Sequence, residues 1–170
     1  HLDHVEIKDV PSSEGHTAVL SITDAFSRKR VLAPVRTMDA SETAAVVLRQ
    51  WVRFFGWPDR LVTDRGAAFA SELMRELEQL VGVGRAMTTA YHPEANGVEE
   101  RGHATMADIT AALLHDLGTA GVHWHRVLPA VELAMNTTVN KTTGLSPDHL
   151  VFCQRPRLAA NLVTPLCRQM

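Results

Sequence analysis

Three acidic residues stand where a carboxylate could do chemistry. Asp3 lies inside an apolar-leaning opening segment. Asp64 directly follows Leu61-Val62-Thr63 and precedes Arg65-Gly66. Glu100 falls in the first turn of a long helical pattern, just after a glycine-ended loop. Ligand sites in α/β sheets favour the C-terminal ends of strands, which is the position of Asp64. Carboxylates clustered on fixed elements are hard oxygen donors, the kind Mg²⁺ or Mn²⁺ takes while leaving room for water and phosphate. Each also has an ordinary alternative: Asp64 as a turn or capping residue, Glu100 as a charge well placed near a helix N-terminus. Glu99 points roughly 100° away from Glu100 on a helix and reads as solvated.

Such carboxylates need elements to hold them. The first third of the chain predicts three strands, Leu2 to Val10, Ala18 to Thr23 and Arg30 to Val35, with a turn cluster at Pro11 to Gly15. Short spacers favour an antiparallel meander. The period then changes. Ser41 is expected to cap a helix carrying Ala44, Leu48, Trp51, Val52 and Phe55, ended by Gly56-Trp57-Pro58. Arg60 to Thr63 predicts a brief strand, and Ser71 the start of a second helix with Leu73, Leu77, Leu80 and Val81. Val83 to Thr88 predicts a fifth strand, and Thr89 to Gly97 a loop. A long helix follows, with Gly102, Met106, Ile109 and Leu113 on one face. Another carries Trp124, Val127, Leu128, Val131 and Met135, and Pro147 suits the first turn of a short last helix. Strands clustered early and helices late give an α/β layer with a mixed sheet.

The chain has 170 residues, which suits one domain; 45% are hydrophobic and 21% charged, which excludes collagen-like, coiled-coil and disordered classes. No apolar run approaches the ~20 residues of a membrane span. Cys153 and Cys167 make no disulfide framework, so a reducing compartment is expected. The chain starts in mid-pattern at His1, and the expectation is a domain of something longer. A net charge of −2 excludes gripping nucleic acid by net charge alone. A basic excess after Lys141 reads equally well as a solvated tail. Neither His1 and His4 nor His123 and His125 form a zinc-ligand spacing with the cysteines, and no G-x-S-x-G context supports a serine nucleophile.

Leu2-Asp3, Thr63-Asp64-Arg65-Gly66, Phe69, Thr88-Thr89-Ala90-Tyr91-His92-Pro93, Gly97 and Glu100-Arg101 resemble the DDE catalytic core of retroviral-type integrases, with 35 residues between Asp64 and Glu100. Trp124 with Leu128-Pro129, Asn136 and Thr143-Gly144-Leu145-Ser146-Pro147 extend the resemblance over nearly the whole chain. These later features point toward integrases of gypsy-type LTR retrotransposons. The resemblance implies a ribonuclease-H-like fold, a five-stranded mixed sheet flanked by helices, with the first strand beside the fourth. It implies that Asp3, Asp64 and Glu100 are the catalytic residues and the ligands of two Mg²⁺ or Mn²⁺ ions, about 3.5–4 Å apart in such sites. The implied reactions are trimming of element 3′ ends by water and attack of those ends on target DNA, phosphoryl transfers that need no protein nucleophile.

Within the resemblance Asp24, which also follows a strand, is not a catalytic position; it reads as a turn-capping residue. Tyr91, His92 and Asn96 would lie in a loop against the element DNA end, with Gly97 as its hinge. His103, one turn after Glu100, would orient Glu100 or touch a phosphate. Ordinary loop chemistry and a packed histidine are the alternatives at these positions. Ala104 and Ala107 depart from the basic residues that relatives often place on this face. The implied partners are element-end DNA, target DNA and further copies of the chain, in a homodimer or higher multimer using the first helix and the Trp124 helix, with no membrane. The implied location is the nucleus, on host chromatin, after a cytoplasmic particle stage. Residues 1–170 would form the whole core domain, with a zinc-binding domain upstream and a C-terminal domain downstream supplying much of the phosphate contact. The alternatives are a bacterial DDE transposase and a domesticated, non-catalytic DNA-binding or assembly module. A ribonuclease-H-type nuclease would need a different acidic spacing.

Overall fold

The computed structural model describes residues 1–7, 12–81, 88–90, 96–118 and 123–154, with 88–90 and 96–100 described by their backbone alone. Strands β1 (Leu2–Glu6), β2 (Ala18–Thr23) and β3 (Arg30–Val35) form the expected antiparallel meander. Asp3 stands opposite Ser21, and Leu20 opposite Ala33. Strands β4 (Arg60–Val62) and β5 (Thr88–Ala90) pair in parallel. A single parallel bridge between Leu2 and Thr63 joins the two ladders. The resulting order, β3-β2-β1-β4-β5, puts the first strand beside the fourth, as expected. The fifth strand overlaps its expected range only at Thr88. Register against β4 selects Thr88-Thr89-Ala90, and residues 83–87 lie outside the described residues.

Every residue of β2 is buried, as a strand covered on both faces must be. Leu20 and Ile22 pack on one face with Leu2, Ala44, Val47, Leu73 and Leu77. Val19 and Leu32 pack on the other with Met106, Trp124, Val127, Leu128 and Val131. The first face is covered by α1 (Ala40–Val46), which runs through a π-helical stretch at Val47–Val52 into α2 (Arg53–Phe55), and by α3 (Gly66–Val81). The second is covered by α4 (Asn96–Asp116) and α5 (Trp124–Thr137), with α6 (Pro147–Phe152) beyond.

Three helix starts differ from expectation. Asp39, not Ser41, caps α1: its carboxylate accepts from the Glu42 N–H at 2.7 Å, while Glu42 reaches back to the N–H groups of Arg36 and Thr37. The aspartate two residues earlier takes the role because its carboxylate reaches the Glu42 N–H, while the Glu42 carboxylate ties down the chain leading into the helix. Helix α3 begins at Gly66 rather than Ser71. Gly66 takes a φ of +87°, which turns the chain straight out of the β4 region, and Ala67 and Ala68 propagate the helix. The Ser71 hydroxyl instead donates to the Ala67 carbonyl inside the helix, at 2.9 Å. Helix α4 already includes Gly97, so the expected loop stops short of it.

Helix α5 is fastened to the free side of β3. The Asn136 side chain accepts from the Arg30 N–H at 2.8 Å and donates to the Arg30 carbonyl at 2.7 Å. Glu132, one turn earlier, accepts from the Leu32 N–H at 2.8 Å. The spacing matches: two strand residues advance about 6.7 Å and four helical residues about 6 Å. The next outward position, Pro34, carries no N–H to satisfy. Burial pushes the Glu132 carboxyl above its ordinary range, against the lowering pull of the Leu32 N–H and of Lys29. Lys29 pairs with Asp148 of α6 at 2.5 Å, with both side chains about nine-tenths buried.

Candidate metal and nucleic-acid site

Asp3 and Asp64 each stand one residue beyond the Leu2–Thr63 bridge. Neighbouring strands lie about 4.8 Å apart, so the register sets the two backbones side by side. Leu2 and Leu61 point into the core beneath α1 and α3, and Val5 belongs to the core beneath α4 and α5. Alternation along β1 therefore turns Asp3 toward α4. The contact bears this out: Nε2 of His103, on α4, lies 3.3 Å from Asp3 Oδ2. Asp3 is partly shielded and Asp64 is exposed.

Glu100 is three residues before His103, one turn back on α4. Residues three apart share a helix face, so the backbone puts Glu100 on the face that brings His103 to Asp3. The approach of α4 has a local cause. A Cβ at position 102 would overlap the buried Arg30 guanidinium, so at this glycine the helix lies directly against that side chain of β3. Met106, Ile109 and Leu113 continue that contact into the core.

The turn carrying Asp64 is fixed from its far side. The Arg65 guanidinium lies 4.5 Å from the Phe69 ring centroid and donates to the Met38 carbonyl. His4, the neighbour of Asp3, points the other way. Its Nε2 is 3.1 Å from the Thr43 hydroxyl, and its ring meets Phe69 edge-on. Burial and the Arg65 guanidinium lower its pKa to about 4, so it is neutral at pH 7.

Asp24 is not brought to this group. Its carboxylate accepts from both the N–H and the hydroxyl of Ser27 at 2.7 Å, the expected turn cap. Tyr91 and His92 lie outside the described residues. Asn96 opens α4 rather than lying in a loop, with only its backbone described. The pairing of His103 with Asp3 was missed by sequence reading, which set His103 against Glu100 or a phosphate. The signal available was Gly102, a glycine inside a helical pattern, which marks a close approach.

Among the described residues no three His, Cys, Asp or Glu side chains converge on one point, and the Glu100 side chain is outside that group. The donor types nonetheless fit a hard divalent cation: one carboxylate on β1, one on the turn that leaves β4 beside it, and a third acidic residue on α4.

An order of β3-β2-β1-β4-β5, antiparallel then parallel, with helices on both faces and carboxylates at its centre, defines the ribonuclease-H-like class of α/β folds. The integrase core domain family model matches residues 1–93, over half the chain, and the chain belongs to that family, as a catalytic core of the retroviral type. A Gag-Pol polyprotein of walleye dermal sarcoma virus is 30% identical over 133 residues, covering 78% of this chain and 7% of the polyprotein. A Tf2-3 transposon polyprotein of Schizosaccharomyces pombe is 22% identical over 154 residues, covering 90% of this chain and 11% of the polyprotein. The chain thus spans a small fraction of these relatives. Among solved structures, the HTLV-2 integrase catalytic core domain, in complex with magnesium and in a trimeric form, superposes with a TM-score of 0.61. The identity is 17%, with 86% of this chain and 89% of that one covered, which establishes the shared fold.

Proposed function

We propose that this chain is the catalytic core of a DNA integrase, acting with Mg²⁺ or Mn²⁺ to trim element 3′ ends and join them to target DNA. The observation that carries the reading is the parallel bridge at Leu2 and Thr63, which makes neighbours of Asp3 and Asp64. Asp3, Asp64 and Glu100 would hold two ions. The ions supply Lewis acidity to the attacking and leaving oxygens of an in-line displacement. The protein's own part is positional. Strand β1 carries one carboxylate and the turn leaving β4 a second beside it, and α4, which meets Arg30 at Gly102, carries the third. The exposure of Asp64 leaves that side of the site open to a DNA backbone. Tyr91, His92 and Asn96 precede or open α4 and are proposed to lie along the element DNA end.

The proposed partners are element-end DNA, target DNA and further copies of the chain. Multimer formation is supported by exposed Phe54 on α2 and Phe152 on α6, which flank the tilted, touching rings of Trp51 and Phe55. Thr143 to Pro147 supports a gypsy-type retrotransposon as the source, and a nuclear site of action follows from DNA as the target. No helix among the described residues is long and apolar enough to cross a membrane.

Glu100→Gln keeps size and helix propensity while removing a ligand charge. Strand transfer by the full-length protein should fall by orders of magnitude with folding intact. Asp24→Asn should keep most of the activity, because Asp24 is used within its own turn. Equal loss in both variants would overturn the triad, and full activity in Glu100→Gln would favour a non-catalytic assembly module.

A further inference from the structure

Among the described residues, His103 lies against a carboxylate of the proposed metal site. Its Nε2 is enclosed from solvent, and among the described residues the acceptor it faces is Asp3 Oδ2, at 3.3 Å. At that distance the two atoms do not yet make a hydrogen bond, so the contact has room to tighten. Both side chains are about one-fifth exposed, which keeps the pair partly screened from water. The pair spans two elements: β1, held in the sheet by β2, and α4, held by Gly102 on Arg30.

We infer that His103 is a positioning residue, which uses Nε2–H to hold one oxygen of the Asp3 carboxylate so that the other is presented toward Asp64. The last torsion of an aspartate is broad, and each donor that engages one oxygen narrows it. A donor on Oδ2 narrows that torsion before any cation arrives, and metal affinity depends on such outer partners. The same contact has a second consequence. His103 is one turn from Glu100, so tying His103 to Asp3 also fixes the rotation and depth of the α4 turn that carries the third acidic residue. One side chain thereby sets the geometry of two others. The inference rests on the proposal that Asp3, Asp64 and Glu100 bind metal, and it assigns His103 to the protein side of the site rather than to DNA.

The test is direct binding of Mn²⁺ to the whole chain without DNA, by calorimetry or by the loss of free-ion paramagnetic resonance signal. Four proteins are compared: the parent, Asp64→Asn, His103→Leu and His103→Gln. Leucine fills similar space without a donor. Glutamine can place an amide N–H near the position of Nε2. The parent should bind and Asp64→Asn should lose most of that binding. His103→Leu should weaken Mn²⁺ affinity by about ten-fold or more, the scale of outer-shell losses. His103→Gln should recover most of that loss. Thermal melts in chelator should show all four folded. If the parent and Asp64→Asn behave as stated but His103→Leu binds Mn²⁺ like the parent, the inference is wrong and the metal site stands; loss of DNA affinity alone in His103→Leu belongs to the same outcome. A glutamine variant as weak as the leucine one also overturns it, because then shape, not donation, matters. No Mn²⁺ binding by the parent, or unchanged binding by Asp64→Asn, removes the metal site itself.

Discussion

Replacing Asn136 with alanine should be among the most damaging single changes in this domain. Asn136 is 1% exposed and touches no acidic residue of the site. Its amide satisfies both the N–H and the carbonyl of Arg30, at 2.8 and 2.7 Å. Alanine deletes both partners at once and leaves two backbone groups unpaired in a buried place. Each such group costs about 1–3 kcal/mol. Some relaxation and water entry are expected, so the net loss should be about 3 kcal/mol. A domain of this length shifts its Tm by roughly 2–4 °C per kcal/mol, which gives a fall of roughly 6–12 °C. Urea titration followed by circular dichroism should show a lower midpoint at unchanged slope. Glu132→Gln is the control. It keeps an acceptor for the Leu32 N–H and relieves a carboxyl that burial already disfavours as a charge, so it should cost less than about 1 kcal/mol. A loss below about 1 kcal/mol in Asn136→Ala would refute the reasoning, since the amide would then be replaceable by water.

The remaining expectations concern charge and assembly. His4 titrates at about 4 in the fold against an ordinary 6.5. A group held neutral by the fold contributes stability that is complete above about pH 6.5 and is lost as pH falls toward 4. His16, also lowered by burial and by His125, acts in the same direction. After discounting for the partial exposure of His4, the fall between pH 7 and 5 in chelator should be about 1–2 kcal/mol. His4→Gln should flatten it, and equal parent stability at both pH values would contradict the burial argument. Asp64→Asn should leave the chelator melting temperature unchanged or raise it by roughly 1–4 °C, through relief of repulsion with Asp3. Millimolar Mg²⁺ should then stabilise the parent more than the variant. A variant melting several degrees lower in chelator would make Asp64 a structural cap. Sedimentation at tens of micromolar should show a dimer, and Phe54→Asp should shift it toward monomer; a parent that is wholly monomeric there would count against the multimer.

The parts of the fold that could be read in advance are those where one local signal decides. Strands β2 and β3 match their expected ranges because alternation, apolar runs and Pro34 mark them without competition. The faces of α4 and α5 follow from spacing alone, and Pro147 stands at the start of α6 with Ser146 as its cap. The misplaced starts of α1 and α3 arise where two signals compete within five residues. Asp39 takes the cap from Ser41 because its carboxylate reaches the Glu42 N–H, and the positive φ of Gly66 admits a helix before the serine is reached. Asp3 and Asp64 stand out in the sequence because a carboxylate in or just after a strand pattern is unusual for its surroundings, and the Leu2–Thr63 bridge sets their backbones side by side. His103 against Asp3 was not legible, because 100 residues separate them and no periodicity carries a contact between a strand and a remote helix. The burial of Arg30 was hidden for the same reason: only the helix that lands on it makes it a core residue.

The way α5 closes β3 also governs what this domain can adhere to. An uncovered strand edge is a template on which any extended peptide, or another copy, can continue the sheet. Here the outward N–H groups of Arg30 and Leu32 are already taken by side chains, and Pro34 has none to offer. A run of six residues therefore gives an incoming strand no ladder of donors. Copies crowded at high local concentration cannot recruit one another into a growing sheet along this side. Partners that approach it must read side-chain surfaces of α5 and α6 instead of adding a strand. Association across this flank is thereby limited to contacts that depend on sequence, so mutation can tune it one residue at a time.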